Sequence, residues 1–152
     1  MHKPNKSLKH RNLPLLLLQA REGVFSKFRP ILNEAGVTEQ QWRVIRALLE
    51  HGPMEPRQIS DICCLSKPSL TGILTRMDEL GLVLRERFEN DQRRVLVTVS
   101  AKGAVLASQL APRIEATYKE LEALIGQPFA RDLYSILDLL LEKLGGTTTS
   151  LE

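Results

Sequence analysis

The chain has 152 residues, enough for one domain with a packed core, and its balance of 43% apolar and 26% charged residues is that of a globular protein rather than a disordered or collagenous one. A net charge of +3 permits nucleic-acid binding without demanding it. The longest apolar run, residues 15–18, is too short to cross a bilayer and no small-residue cleavage site follows it; with only two cysteines, the adjacent Cys63 and Cys64, a cytoplasmic chain without disulfides is expected.

Charge is unevenly spread: Lys3, Lys6, Lys9 and Arg11 form a basic leader with no carboxylate, whereas acids outnumber bases from Glu115 onward. Helical periodicity predicts a first helix over about 13–33, kinked or restarted near Pro30, which lacks an N–H, and ended by Gly36. Thr38, with Gln41 three residues on, forms a capping box ahead of a helix that carries Trp42, Ile45 and Leu49 on one face and stops at Gly52-Pro53. A short helix, RQISDICC, follows Pro56. Ser66 caps the next, SKPSLTGILTRMDEL, which Gly81 ends. Alternation then takes over, and LVLRERF and RVLVTVS read as two strands around a polar turn. Two helices, over about 101–125 and 128–144 with Gly126 between them, precede GGTTTSLE, a disordered end whose residues 147–152 are left out of the fold. The expected class is mainly α with a small β-hairpin.

The two short helices around CCLS have the dimensions of a helix-turn-helix, in which the second helix enters the major groove. On that helix Leu70, Ile73, Leu74, Met77 and Leu80 share an inward face, which leaves Pro68, Thr71, Gly72, Thr75 and Arg76 outside. A mid-helix glycine costs roughly 1 kcal/mol against alanine, and close approach to a DNA backbone would account for it; a solvated polar face is the plainer alternative. The hairpin that follows acts as a wing. Arg93 and Arg94 at its tip are well placed for phosphates or a narrow minor groove, with Asp91 near enough to hold a guanidinium, although charged turns are also common for no functional reason.

Over residues 36–103 these pieces resemble the MarR family of winged-helix transcriptional regulators, and the resemblance runs over essentially the whole ordered chain. Its most specific parts are TEQQW, LSKPSLT and NDQRR. The resemblance implies a single domain over 1–146, with a winged helix-turn-helix at about 38–100 flanked by dimerisation helices at about 13–35 and 101–145. It also implies a homodimer on a palindromic double-stranded operator. The implied DNA contacts are Ser66, Lys67, Pro68, Ser69, Thr71, Gly72, Thr75, Arg76, Asp91, Arg93 and Arg94, with Arg93 as the minor-groove arginine. LLLLQAREGVFSKF followed by RPILNEAGVTEQQWRV is similar to family repressors of homoprotocatechuate and hydroxyphenylacetate catabolism, which implies a small aromatic carboxylic acid as effector.

A site for such an acid is sought on its own terms. On the first helix Leu17, Val24, Phe25, Phe28 and Leu32 make one broad face with Arg21 in its middle, and a charge there needs an anionic partner or water. Arg21 is therefore either a structural ion pair or a carboxylate clamp whose neighbours include Phe25, Trp42 and Arg43, with His10 and Arg11 as weaker candidates. Trp42 suits a core position as well as a pocket wall. The histidines at 2, 10 and 51 form no constellation, and no metal-ligand spacing, nucleophile elbow or phosphate loop is present, so no enzyme, metal site or cofactor is expected. Two alternatives stay open: an oxidant-sensing DNA-binding regulator using Cys63 or Cys64, and a winged-helix module for protein–protein assembly.

Overall fold

A computed structural model describes residues 1–4 and 6–146; the expected disordered tail, 147–152, lies outside the described residues. The elements are α1 (Leu13–Phe25), α2 (Arg29–Glu34), α3 (Glu39–His51), α4 (Pro56–Cys63), α5 (Lys67–Glu79), β1 (Val83–Phe88), β2 (Asp91–Val99), α6 (Ala101–Ile125) and α7 (Gln127–Lys143). The chain divides into two compact units, Met1–Leu110 and Ala111–Glu152.

In the first unit, the long opening helix is two helices. Asn12 caps α1 by accepting from the Leu15 amide (3.1 Å), and Ser26 ends it, its hydroxyl donating to the Gly23 carbonyl (2.8 Å). The chain restarts at Arg29 with Pro30 in the first turn, where a missing N–H costs nothing. This break corrects the single apolar face expected for the segment. Phe28 and Leu32 are buried and Phe25 is half-buried, but Leu17 and Val24 stay exposed, because they belong to a separate helix with no buried residue. Thr38 and Gln41 form the expected capping box, with both bonds at 3.1 Å, and Glu55 with Gln58 forms a second at α4.

The core joins α3, α4, α5 and the base of the hairpin through Val44, Ile45, Leu48, Ile59, Leu70, Leu74, Met77, Val83 and Val97. Truncating one of these leucines to alanine should cost about 2–5 kcal/mol. Gly103, in the first turn of α6, lies so close to the hairpin base that a Cβ there would come within 2.3 Å of the Leu82 carbonyl oxygen.

The hairpin departs from expectation at its tip. β1 and β2 pair antiparallel from Val83↔Val99 to Arg87↔Val95, but Phe88 then pairs with Asp91. Neighbouring residues on β1 thus face positions four apart on β2, and Gln92, Arg93 and Arg94 bulge without partners. The turn is only Glu89 and Asn90, so the two arginines project from a bulge in β2 rather than from the turn. Arg87 donates to the Gln92 carbonyl (2.5 Å) and fixes the bulge from the opposite strand. A bulge of this kind re-aims side chains away from the ladder.

In the second unit, Gly126 (φ 88°) separates the end of α6 from α7. Ile114, Thr117 and Ala130 are buried. α7 exposes Phe129, Tyr134, Ile136, Leu137, Leu139 and Leu141, and Leu144 just beyond it.

Candidate functional site

The turn between α4 and α5 is made at Cys64, whose left-handed backbone (φ 54°, ψ 45°) occupies a place usually given to glycine. Ser66 then caps α5, its hydroxyl oxygen accepting from the Ser69 amide (3.3 Å) and lying 2.9 Å from the Ser69 hydroxyl, so that Ser66, Lys67, Pro68 and Ser69 present an exposed helix start. One face of α5 is core, with Leu70, Leu74 and Met77 buried. Thr71, Gly72, Thr75 and Arg76 are exposed on the other. The Thr71 and Thr75 hydroxyls donate one turn back, to the carbonyls of Lys67 (3.0 Å) and Thr71 (2.9 Å). A Cβ at Gly72 would meet nothing within 4 Å among the described residues, so none of them calls for glycine there. Arg76 pairs with Glu79 at 3.3 Å, an exposed pair of small energetic weight.

On the wing the adjacent arginines have different environments. Asp91 Oδ1 accepts from the Arg93 amide (3.0 Å) and from its Nε (3.3 Å), which orients a side chain that is 94% exposed. Arg94 instead forks onto Glu55 through Nε (2.8 Å) and Nη2 (3.1 Å), and its guanidinium carbon lies 4.4 Å from the Phe88 ring centroid. The hydrogen bond from Arg94 lowers the Glu55 carboxyl below its ordinary pKa, and the same bond raises Arg94. Arg94, expected to face DNA, latches the wing to the start of α4.

A third group forms where α1 meets α3. Arg21 and Arg43 both pair with Glu39 Oε1, Arg43 at 2.8 Å, and Arg21 also reaches Glu22 (3.5 Å). Arg43 Nη1 donates to the Cys63 carbonyl (2.9 Å), while the Cys63 thiol donates back to the Arg43 carbonyl (3.6 Å). The guanidinium carbons of Arg21 and Arg29 lie 5.7 and 5.1 Å from the Phe25 ring centroid, and Arg29 pairs with Glu22 at 3.0 Å. Two cations therefore share one carboxylate beside an aromatic ring.

The MarR family model matches residues 37–95. The chain is 40% identical to the HTH-type transcriptional regulator FarR of Neisseria gonorrhoeae over 134 residues, which cover 88% of this chain and 90% of FarR. The chain belongs to the MarR family. Another relative is the homoprotocatechuate degradative operon repressor of Escherichia coli, 44% identical over 75% of this chain and 77% of the repressor. Among solved structures, NadR in complex with 4-hydroxyphenylacetate matches with a TM-score of 0.77 at 38% identity, over 99% of this chain and 100% of NadR.

In this MarR-family chain the structure brings together Arg21, Phe25 and Arg43 of the residues expected around an aromatic acid. Trp42 is half-buried and packs against the core. His10 and Arg11 are exposed in the leader and make no ion pair among the described residues. Sequence reasoning missed Glu39, although its spacing of four from Arg43 on one helix is a readable pairing signal. It also missed Glu55, whose partner lies 39 residues away. Cys63 is buried, and burial pushes its thiol pKa up, the opposite of what a reactive thiolate needs; Cys64 is exposed at the turn. Among the described residues no helix is long and apolar enough to cross a membrane.

Proposed function

We propose that this MarR-family chain is a cytoplasmic, homodimeric DNA-binding repressor that leaves its operator when a small aromatic carboxylic acid binds, as in control of a homoprotocatechuate or hydroxyphenylacetate catabolic operon. The observation that carries the reading is the pairing, within one compact unit, of an exposed helix face (Ser66 to Ser69, Thr71, Gly72, Thr75 and Arg76) with Arg93, exposed and oriented by Asp91. The first suits a major groove and the second a minor groove. The E. coli relative is a homoprotocatechuate operon repressor and NadR holds 4-hydroxyphenylacetate, which supports this class of acid. None of these contacts requires catalysis.

On this reading residues 1–146 work as one domain, with the winged helix-turn-helix at about 38–100 and dimerisation helices at about 13–35 and 101–145. A second copy covers the apolar side chains exposed on α1 and α7, which are too many for a surface in water. Arg21 and Arg43 hold the effector carboxylate, with the ring against Phe25 and Trp42. The acid releases DNA only as far as it favours the non-binding conformation, and a coupling of about 1–3 kcal/mol would change operator affinity about 5- to 150-fold.

The test begins with a duplex that the protein itself enriches from a random pool. An imperfect palindrome is expected, with half-sites roughly 34–36 Å apart, followed by release on titration with 4-hydroxyphenylacetate. Failure to enrich any duplex overturns the repressor. Intact DNA binding with a flat response to aromatic acids overturns the effector class alone.

A further inference from the structure

Two bonds tie α3 to the end of α4. Arg43 Nη1 donates to the Cys63 carbonyl (2.9 Å), and the Cys63 thiol donates to the Arg43 carbonyl (3.6 Å). The Cys63 carbonyl lies in the last turn of α4, where the helix itself supplies no N–H, so Arg43 caps it from outside. The chain then turns through the left-handed Cys64 and within three residues reaches Ser66, the N-cap of α5. From the α4 side the Ser60 hydroxyl donates to the Leu65 carbonyl, and the Leu65 amide donates to the Ser60 carbonyl (3.1 Å). The entry to α5 is thus held by α4 on one side and by Arg43 on the other. The second terminal nitrogen of Arg43, Nη2, is on Glu39 (2.8 Å), at the corner that Arg21 shares.

We infer that Arg43 is the coupling residue of this chain: a carboxylate that takes its guanidinium at the α1–α3 corner withdraws it from the Cys63 carbonyl and so loosens the entry to α5. The inference rests on the effector reading above and says how that site regulates. A guanidinium is a flat, rigid fork, so it cannot turn Nη2 towards a new partner and leave Nη1 where it was. A carboxylate held by two parallel N–H bonds sets the plane of the fork, which then follows the ligand instead of Glu39 and Cys63. A carbonyl stripped of its partner is costly, and the turn beside it relieves that cost by shifting. Arg21, by contrast, pairs with Glu22 and Glu39 at the corner itself. It can grip the acid, but its grip reaches α5 only through Arg43.

The readout is the ratio of operator affinities without and with saturating 4-hydroxyphenylacetate, on full-length chains and the duplex enriched as above. That ratio is the coupling itself, about 5- to 150-fold for an ordinary switch; a variant that grips the acid less tightly in both states moves the dose and not the ratio. Arg43→Lys keeps a cation four residues from Glu39 but replaces the fork by a point charge, which cannot span Glu39 and the Cys63 carbonyl. Its ratio should fall towards one, whereas Arg21→Met should need more acid and keep the parent ratio. If Arg43→Lys does not fold, hydrogen exchange on the parent decides: saturating acid should speed exchange of the Cys64 and Leu65 amides, which both bond the Ser60 carbonyl. Unchanged or slower exchange at these amides, a parent ratio in folded Arg43→Lys, or an equal fall in Arg43→Lys and Arg21→Met overturns Arg43 as the coupling residue and leaves the effector reading standing. A parent whose operator affinity does not respond to the acid overturns both.

Discussion

The wing face and the α1–α3 corner are both built around arginines, yet they leave those arginines in different states. At the wing, Arg93 is 94% exposed and its one acidic contact among the described residues is a neighbour two residues away that also binds its backbone. At the corner, Arg21 and Arg43 converge on one oxygen of Glu39, and Arg43 is tied in addition to the Cys63 carbonyl. A cation that is oriented yet almost wholly exposed suits an anion from outside, whereas a cation already satisfied by the chain is first a structural part. The charge count is similar in both places; the distribution of carboxylates makes the difference.

The sharpest way to break this comparison is Arg93→Ala. Operator affinity should fall by about 1–3 kcal/mol per contact and the salt slope by about one unit, with the melting temperature unchanged. An unaltered affinity across a salt series would show that the wing does not reach DNA. Next in size, Arg43→Met should cost about 1–3 kcal/mol of stability in denaturant unfolding, because it leaves the Cys63 carbonyl and one side of Glu39 unpaired. If stability holds, the corner is not the structural part described here. Arg94→Ala should weaken DNA binding less than Arg93→Ala and leave the salt slope in place, since Glu55 already neutralises it; a slope change equal to that of Arg93→Ala would make it a direct contact.

The smallest effect is in pH. Glu55 is lowered below its reference value of 4.5 in the folded chain, first by the hydrogen bond from Arg94. A group lowered on folding stabilises above its unfolded pKa and loses that contribution as pH falls through the folded value. The difference in melting temperature between the parent and Glu55→Gln should therefore be constant at neutral pH and shrink only in acid, below about pH 4.5. A difference that grew on acidification would contradict the latch.

How much of this was legible in the sequence depended on the distance over which each feature is encoded. The capping box of Thr38 and Gln41, the Ser66 cap, the inward face of Leu70, Leu74 and Met77, and the Asp91–Arg93 contact all lie within a few residues, and each stands as read. The α1–α2 break was signalled by Pro30, but the consequence, that Leu17 lies on α1 while Phe28 lies past its end at the N-cap of α2, was not. The bulge that moves Arg93 and Arg94 out of the turn is a matter of strand register, which alternation alone does not fix at a polar tip. The Glu55–Arg94 pair joins residues far apart in the chain, and no local pattern announces it.

Glu39 has a consequence for dose. If Arg21 and Arg43 receive an effector's carboxylate, they do so from a state in which an internal carboxylate is already bound, so binding is an exchange rather than a filling. The apparent affinity is then the intrinsic one reduced by the fraction of molecules in which Glu39 has let go. A Glu39→Gln chain should therefore release its operator at lower acid concentration than the parent, and equal dose–response curves would remove Glu39 from the exchange. On this view the side chain acts as a threshold, setting how much of the aromatic acid must accumulate before the genes are expressed.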